Sequence, residues 1–450
     1  MPYTCTHSIS HCGETCFRDI RGSRIGFMSL SPGMAPDPQR TIAELKELRT
    51  LTEDEDGAQR VAFTPLWLTA RTWLLGKLAE LPVETHVDAA GNLWATLTGD
   101  SPRALIIGGH MDSVPNGGWL DGCLNVLAGL EVLRRLAAEY EGRPPVTVRL
   151  VDWADEEGAR FGKSLFGSAA CSGKLDMDEA RNLRDRDGIT LPDALHRIGI
   201  EFEKVKDSGS ELNEVAASIE LHIEQGPVLL DLDLPLGAVL GTFGVERHAV
   251  TFHGQAAHSG STPMNRRRDA FLAAGKMSQE IYRIAERSGG GVCTIGSCIT
   301  KPGIVTSVVG ECRITLDQRH LDAPALATML TEARSASEAF AGEGNVRVSW
   351  ERLWRIAPRP FHPGLIDLCA EAIADTCGPP APRLASGPLH DSAEVCGAGI
   401  PTVMMFTQSL HGISHNKIED TKEEHLVLAV LAFDRLASKV INWIKLQLPG

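Results

Sequence analysis

Apolar runs that stop at polar clusters set the pattern of this chain. Residues 104–108 read as a buried strand that breaks at Gly108-Gly109 and then presents His110 and Asp112. Residues 146–152 form a β-branched run ending in Asp155, Glu156 and Glu157, and residues 216–224 form a third run ending at Gln225-Gly226-Pro227. Short continuous apolar runs bounded by turn signals predict buried strands. Between the first two, Val126, Leu127, Leu130, Leu133 and Leu136 share one face of a helix predicted over 124–139, which Asp121-Gly122 opens. Residues 39–81 also show helical spacing. Residues 82–97 predict strand–turn–strand around Gly91-Asn92. The span 160–215 is helical and polar, with Gly and Pro breaks.

From about Gly244 the pattern changes. Strand 245–253, helix 266–286, strands 291–299 and 311–318, helix 322–340 and strand 345–351 follow in the order β-α-β-β-α-β, a ferredoxin-like unit complete in itself. After Pro358 the α/β pattern resumes with helix 363–376, a Gly/Pro loop to 388, strand 400–406, a loop holding His411 and His415, and helix 423–446. The expected fold is α/β: a central mixed sheet flanked by helices, made of residues 39–243 and 352–450. An α+β ferredoxin-like lid, 244–351, is inserted into it.

Length agrees, since 450 residues exceed what one core usually supports. The net charge of −14 argues against nucleic acid or an anionic membrane as partner, and no apolar run is long enough to span a bilayer. The apolar patch 25–30 is too short for a signal peptide, so a cytoplasmic location is expected. The eleven cysteines are an odd number, and most lie inside predicted strands and helices, against a disulfide framework. Residues 1–38 read as a flexible leader closed by the Pro-rich stretch 31–38. Its Cys5, His7, His11, Cys12 and Cys16 match no standard zinc spacing.

The polar clusters carry the chemistry. In open α/β sheets ligands bind beyond the carboxyl ends of the strands, where His110, Asp121, Glu156 or Glu157, and His222 all fall. Imidazole and carboxylate suit borderline-soft divalent metals, and His415 could complete a second coordination sphere. Two such ions about 3.5–4 Å apart polarise a carbonyl and generate hydroxide near neutral pH. Of two adjacent glutamates, one can bind metal while the other serves as base. Asp112, two residues past His110, suits the orienting of that imidazole.

At these residues the chain resembles the N-carbamoyl-L-amino-acid hydrolases, with β-ureidopropionase and allantoate amidohydrolase, within the dinuclear aminoacylase/carboxypeptidase-type metallohydrolases. The stretches that carry the resemblance are Gly-Gly-His-Met-Asp-Ser-Val-Pro (108–115), Gly-Trp-Leu-Asp-Gly (118–122), Asp-Glu-Glu-Gly-Ala-Arg-Phe (155–161), Glu-Leu-His-Ile-Glu-Gln-Gly-Pro (220–227), Gly-Gln-Ala-Ala-His-Ser-Gly (254–260), Leu-His-Asp-Ser (389–392) and Gly-Ile-Ser-His-Asn (412–416). The resemblance implies two divalent ions per subunit, zinc or manganese with cobalt also suited, bridged by Asp121. His110 and His222 would serve one ion, Glu157 and His415 the other, with Glu156 as general base.

It also implies a cis peptide at Asp121-Gly122 and a homodimer formed through the lid. His258 would polarise the scissile carbonyl, often in the partner subunit's site. Arg319 would pair with the carboxylate of a small substrate, and Gln225 and His390 would complete the pocket. The lid departs from the family pattern at Thr306, which stands where family members usually carry a substrate-binding Asn, and residues 407–411 depart as well. The activity implied is cleavage of the linear ureido C–N bond of an N-carbamoyl-L-amino acid or related ureido acid. An N-acyl-amino-acid hydrolase or dipeptidase of the same fold is the nearest rival, and a non-catalytic metal-binding or dimerisation protein is the rival of another class.

Overall fold

The computed structural model describes residues 35–448. The leader's Cys and His residues lie outside them. In chain order the main strands are β1 (Glu84–Val87), β2 (Leu93–Leu97), β3 (Ser101–His110), β4 (Val146–Trp153), β5 (Val215–Ile223), β6 (Leu236–Thr242), β7 (Gly244–His253), β8 (Val292–Lys301), β9 (Glu311–His320), β10 (Arg347–Ile356), β11 (Arg359–Pro360), β12 (Arg383–Ser386) and β13 (Thr402–Thr407). Nine of them form one mixed sheet in the order β11-β6-β13-β5-β3-β4-β2-β1, with β12 paired to β6. The other four, β7 to β10, form a separate antiparallel sheet in the order β8-β9-β7-β10.

The central strands β3, β4, β5 and β13 run parallel and are buried on both faces, which is why they read as continuous apolar runs. Alternate residues feed two cores. Leu105, Ile107, Val148 and Leu150 pack with the helices α1 (Pro38–Thr52), α3 (Cys123–Glu139), α7 (Pro363–Cys377) and α9 (Glu423–Lys445). Ile106, Val151 and Trp153 turn the other way, toward Cys171 at the end of α4 (Phe166–Cys171) and Val395 of α8 (Asp391–Gly397).

The sheet opens where the polar clusters emerge. β3 and β5 are paired only as far as Ile107 and Ile219. Beyond that point Asn125 of α3 stands between them: its amide donates to the Gly108 carbonyl, and its oxygen accepts from the Leu221 amide at 2.7 Å. A Cβ at position 109 would sit 2.6 Å from the Asn125 nitrogen, so glycine is required there. The buried pair Arg71–Asp152 anchors the same region. Arg71, on α2 (Pro65–Leu78), donates to Asp152 at 2.6 Å, and Asp152 accepts the Met111 amide at 2.8 Å. Removing one partner of such a pair costs about 3–5 kcal/mol.

In the four-stranded sheet, helices α5 (Ala270–Ser288) and α6 (Ala323–Glu343) cover one face through Ile281, Met277, Met329 and Ala333. The expected β-α-β-β-α-β order holds. α5 starts four residues later than its apolar period predicts, because Asp269 caps it by accepting from Phe271 and Leu272. Four of these elements have no counterpart in the sequence reading: β6, β11 and, within and just beyond the Gly/Pro loop, β12 and α8.

Candidate metal centre and substrate cleft

Five loops converge at the opened end of the sheet. His110 ends β3 and is 1% exposed; its Nδ1 lies 3.1 Å from the Asp112 main-chain carbonyl. His222, on β5, places Nδ1 2.8 Å from the Ile223 carbonyl. Each carbonyl accepts Nδ1–H, which fixes the tautomer and leaves Nε2 with a lone pair. Both Nε2 atoms face one oxygen of Asp121, at 3.7 Å from His110 and 3.1 Å from His222. The second Asp121 oxygen lies 3.5 Å from His415 Nε2, which is itself 3.2 Å from Glu157. These donor atoms thus form two groups, His110–Asp121–His222 and Asp121–Glu157–His415, joined by Asp121, and a third, Glu220–His222–His390, shares His222.

This donor set fits divalent cations. The buried His110 Nε2 has no hydrogen-bond partner, and two imidazole lone pairs and a carboxylate meet at such distances only around a cation, proton or metal. Burial pushes the His110 imidazole down to about 4. Burial opposes charge on His222 too, but the Asp121 carboxylate and Glu220 behind it raise that imidazole to about 9.

Asp112 does more than its position suggests. Its main-chain oxygen, not its carboxylate, makes the short contact to His110; the carboxylate is 3.6 Å away. That carboxylate instead accepts the main-chain amides of Glu156 at 3.2 Å and Glu157 at 3.1 Å, tying the acidic loop to the His110 turn. Within that loop Asp155 takes a left-handed φ of 57° and is buried. Glu157 turns toward His415, and Glu156 lies 3.8 Å from His110. Burial, then the charges of Asp391 and Glu157, raise the Glu156 carboxyl well above its usual range.

Asp121-Gly122 is not cis. Among the described residues the cis bonds precede Pro302 and Pro380. Gly122 turns the chain with a φ of 66°, which glycine adopts freely, whereas a non-proline cis bond costs about 2.5–4 kcal/mol.

A cleft of about 640 Å³ lies over this centre, and Gln225, His390 and Arg319 line it with Glu156. Gln225 donates to Asp121 at 2.8 Å. His390 is buried against His222, with ring centres 4.4 Å apart, and lies 3.0 Å from the Ser386 hydroxyl; burial and then the His222 charge keep it neutral. Arg319 reaches in from β9. His258 and Thr306 are not in this cleft. Both are exposed beside a short ribbon, Ala257–His258 against Ser307–Val308, where the Thr306 carbonyl accepts the Ser259 amide. His258 Nδ1 accepts from the Gly260 and Ser261 amides at 3.1 Å, so its Nε2–H points outward as a donor.

Three buried acids near the site were given no role by the sequence reading, although Glu220 and Asp391 lie in the stretches that carry the resemblance. Glu419 accepts the Leu120 and Asp121 amides, and the Ser414 hydroxyl, with one proton to give, lies 2.9 Å from both Glu419 and Asp121. Glu220 accepts from Ser392, and Asp391 from Ser168. Glu220 had a signal: it lies two residues before His222 in an apolar strand and so shares its face.

Residues 106–439 match the model of the peptidase family M20/M25/M40. The chain belongs to this family. As a member of a metal-dependent M20/M25/M40 family, it is 35% identical over 380 residues to the N-carbamoyl-L-amino acid amidohydrolase of Geobacillus stearothermophilus, covering 84% of this chain and 92% of that one. It is 32% identical over 372 residues to the allantoate amidohydrolase of Escherichia coli, covering 81% and 88%. Among solved structures it is similar to a putative amidohydrolase/peptidase from Burkholderia cenocepacia, with a TM-score of 0.83, 30% identity and coverage of 90% and 99%. The hydantoinase/carbamoylase family amidase of Burkholderia multivorans gives a TM-score of 0.81 at 30% identity, over 90% and 98%. The M20/M25/M40 assignment accords with the mixed sheet and the paired donor groups. Among the described residues no helix is long and apolar enough to cross a membrane.

Proposed function

We propose that this M20/M25/M40 family member is a two-metal amidohydrolase that cleaves the ureido C–N bond of an N-carbamoyl-L-amino acid or a related ureido acid. The supporting observation is the shared carboxylate: Asp121 meets His110 and His222 through one oxygen and His415 through the other. His110, His222 and Asp121 would hold one ion, and Asp121, Glu157 and His415 the second. Zinc, manganese or cobalt would suit these donors. When bound, such ions polarise a carbonyl and acidify water.

The chain's own groups divide the remaining work. Glu156, buried at the cleft floor, takes the proton of the attacking water and returns it to the leaving amine. Arg319 offers its guanidinium edge to the substrate carboxylate. Gln225 and His390 bound the site and orient the ureido group. His258 acts from a second copy of the chain: its outward Nε2–H stabilises the charge that develops on the carbonyl oxygen. In this reading residues 244–351 serve as lid and dimerisation domain, and residues 39–243 with 352–450 as the catalytic domain. Water and an N-carbamoyl-amino acid give amino acid, ammonia and carbon dioxide. The similarity to enzymes named for N-carbamoyl-amino acids and for allantoate supports a ureido acid.

Glu156→Gln is expected to keep its metal while losing on the order of 10²–10⁴ in turnover; an active variant removes Glu156 as the base. Ammonia release from a panel of N-carbamoyl-L-amino acids, allantoate, N-acetyl amino acids and dipeptides, with several metals, tests the substrate class. Turnover confined to N-acyl or peptide substrates would reject the ureido reading.

A further inference from the structure

Arg319 is one member of a charged row across the four-stranded sheet. Even-numbered residues of β9 from Cys312 to His320 are buried under the helices, so Asp317 and Arg319 share the opposite face. The register sets Arg247 of β7 opposite Asp317, and Trp354 of β10 opposite Arg247. An irregularity between Arg352 and Trp354 moves Leu353 out of that opposing position. Asp317 accepts Arg319 Nε through one oxygen at 2.8 Å. Through the other it accepts Arg247 Nε at 2.9 Å and Nη2 at 2.6 Å. Arg319 Nη1 donates to the Gly387 carbonyl at 3.1 Å, in the loop that carries His390. Trp354 lies 5.1 Å from the Arg247 guanidinium. Arg319 and Trp354 line the main cleft, whereas Arg247 and Asp317 line an adjoining cavity that shares Arg319.

We propose that Asp317, shared between Arg247 and Arg319, is a positioning residue that sets the preference of the cleft for a substrate carboxylate over an uncharged terminus. The proposal rests on the function above, in which Arg319 receives that carboxylate. Two guanidiniums around one carboxylate leave a single net positive charge beside the cleft, enough to match one anion. An Arg319–Asp317 pair alone would be neutral, and an incoming anion would meet the Asp317 charge without the offset that Arg247 supplies. Geometry acts beside charge, and in Asp317→Asn it acts against charge: that variant gains net positive charge but loses the hold on Arg319 Nε, so a loss confined to the acid reads the positioning. With Nε held by Asp317 and Nη1 by Gly387, the flexible side chain keeps few rotamers, and less order remains to be imposed on binding. Burial works against the Asp317 charge, but Arg319 and Arg247 outweigh it and hold the carboxyl below its usual range.

The test compares kcat/KM for an N-carbamoyl-L-amino acid with that for its α-carboxamide. Arg319→Met is expected to bring the acid-to-amide ratio close to one. Asp317→Asn is expected to lower that ratio by at least about tenfold, mainly through KM for the acid, with the carboxamide unchanged within about twofold. Arg247→Met, farther from the cleft and less demanding on folding, should shift the ratio the same way. Equal losses on both substrates, or an unchanged or raised ratio in Asp317→Asn while Arg319→Met collapses it, overturns the proposal. An unchanged ratio in Arg319→Met itself instead overturns the reading of Arg319.

Discussion

A glutamine at position 419 would keep the size of the glutamate and lose half of its accepting capacity. Glu419 accepts the Leu120 and Asp121 amides and lies 2.9 Å from the Ser414 hydroxyl, linking two loops. Burial and the nearby Asp121 charge push its carboxyl up to about 7. The amide keeps an oxygen for the two main-chain N–H groups and can donate to the Ser414 oxygen, but it removes a negative charge beside Asp121 that a bound cation would feel. Glu419→Gln is expected to weaken metal binding by roughly 10–100-fold while leaving the fold intact. Metal titration against a competing chelator measures this, and unchanged affinity would mean that Glu419 does not act on the site. His110, Asp121 and His222 were legible because a charged or imidazole group beside a buried strand end needs a partner. Glu419 was not, because a single glutamate among the surface charges of a loop carries no such mark.

Elements show the same division. The 3-10 segment Phe202–Leu212 has few apolar residues and was read only as polar and helical. The structure fastens it to the sheet through Glu211, which pairs with Arg149 of β4 and lies 2.9 Å from His86 of β1. Arg149 stacks over Trp94 at 4.2 Å. Burial disfavours the Glu211 charge, but Arg149 and His86 lower its pKa overall. A depressed folded-state pKa gives stability that is present above the unfolded value near 4.3 and is lost as pH falls through the folded one. Glu211→Gln should therefore lower Tm by about 1–2 °C near pH 7, with the gap closing below roughly pH 4. A gap constant across this range, followed by calorimetry, would show that the charge is not what fastens the segment. β12 and α8 went unseen because Gly and Pro on either side mask short elements whose stability comes from packing on β6 and on α4.

For the whole molecule, the proposed function assigns His258 to the site of a second copy. His258 stands exposed on its ribbon, outside the cleft of its own chain. Arg267 fastens its loop by donating to the Ser259 and Thr262 carbonyls. If a second copy supplies it, inactive His258→Ala and Glu156→Gln subunits should complement each other. After mixing and reassociation about half the dimers are hybrid, and each carries one site with both residues intact. Recovered turnover is the expected outcome, and a mixture as inactive as its components would place His258 in its own subunit's chemistry or outside it.

The apolar periods alone determined β3, β4, β5 and β13 of the large sheet and the strands and helices of the four-stranded one, because burial of a strand or helix face is written in residue spacing. They also placed His110, Asp121, Glu156, Glu157 and His222 at strand ends. Tertiary structure decided what spacing does not encode: that β3 and β5 part around Asn125 to admit the donors, that Asp121 faces both groups at once, and that Asp317 of β9 joins Arg319 to Arg247 of the neighbouring strand β7. These depend on distances between segments far apart in the chain, and the register and packing of the folded sheet set those distances.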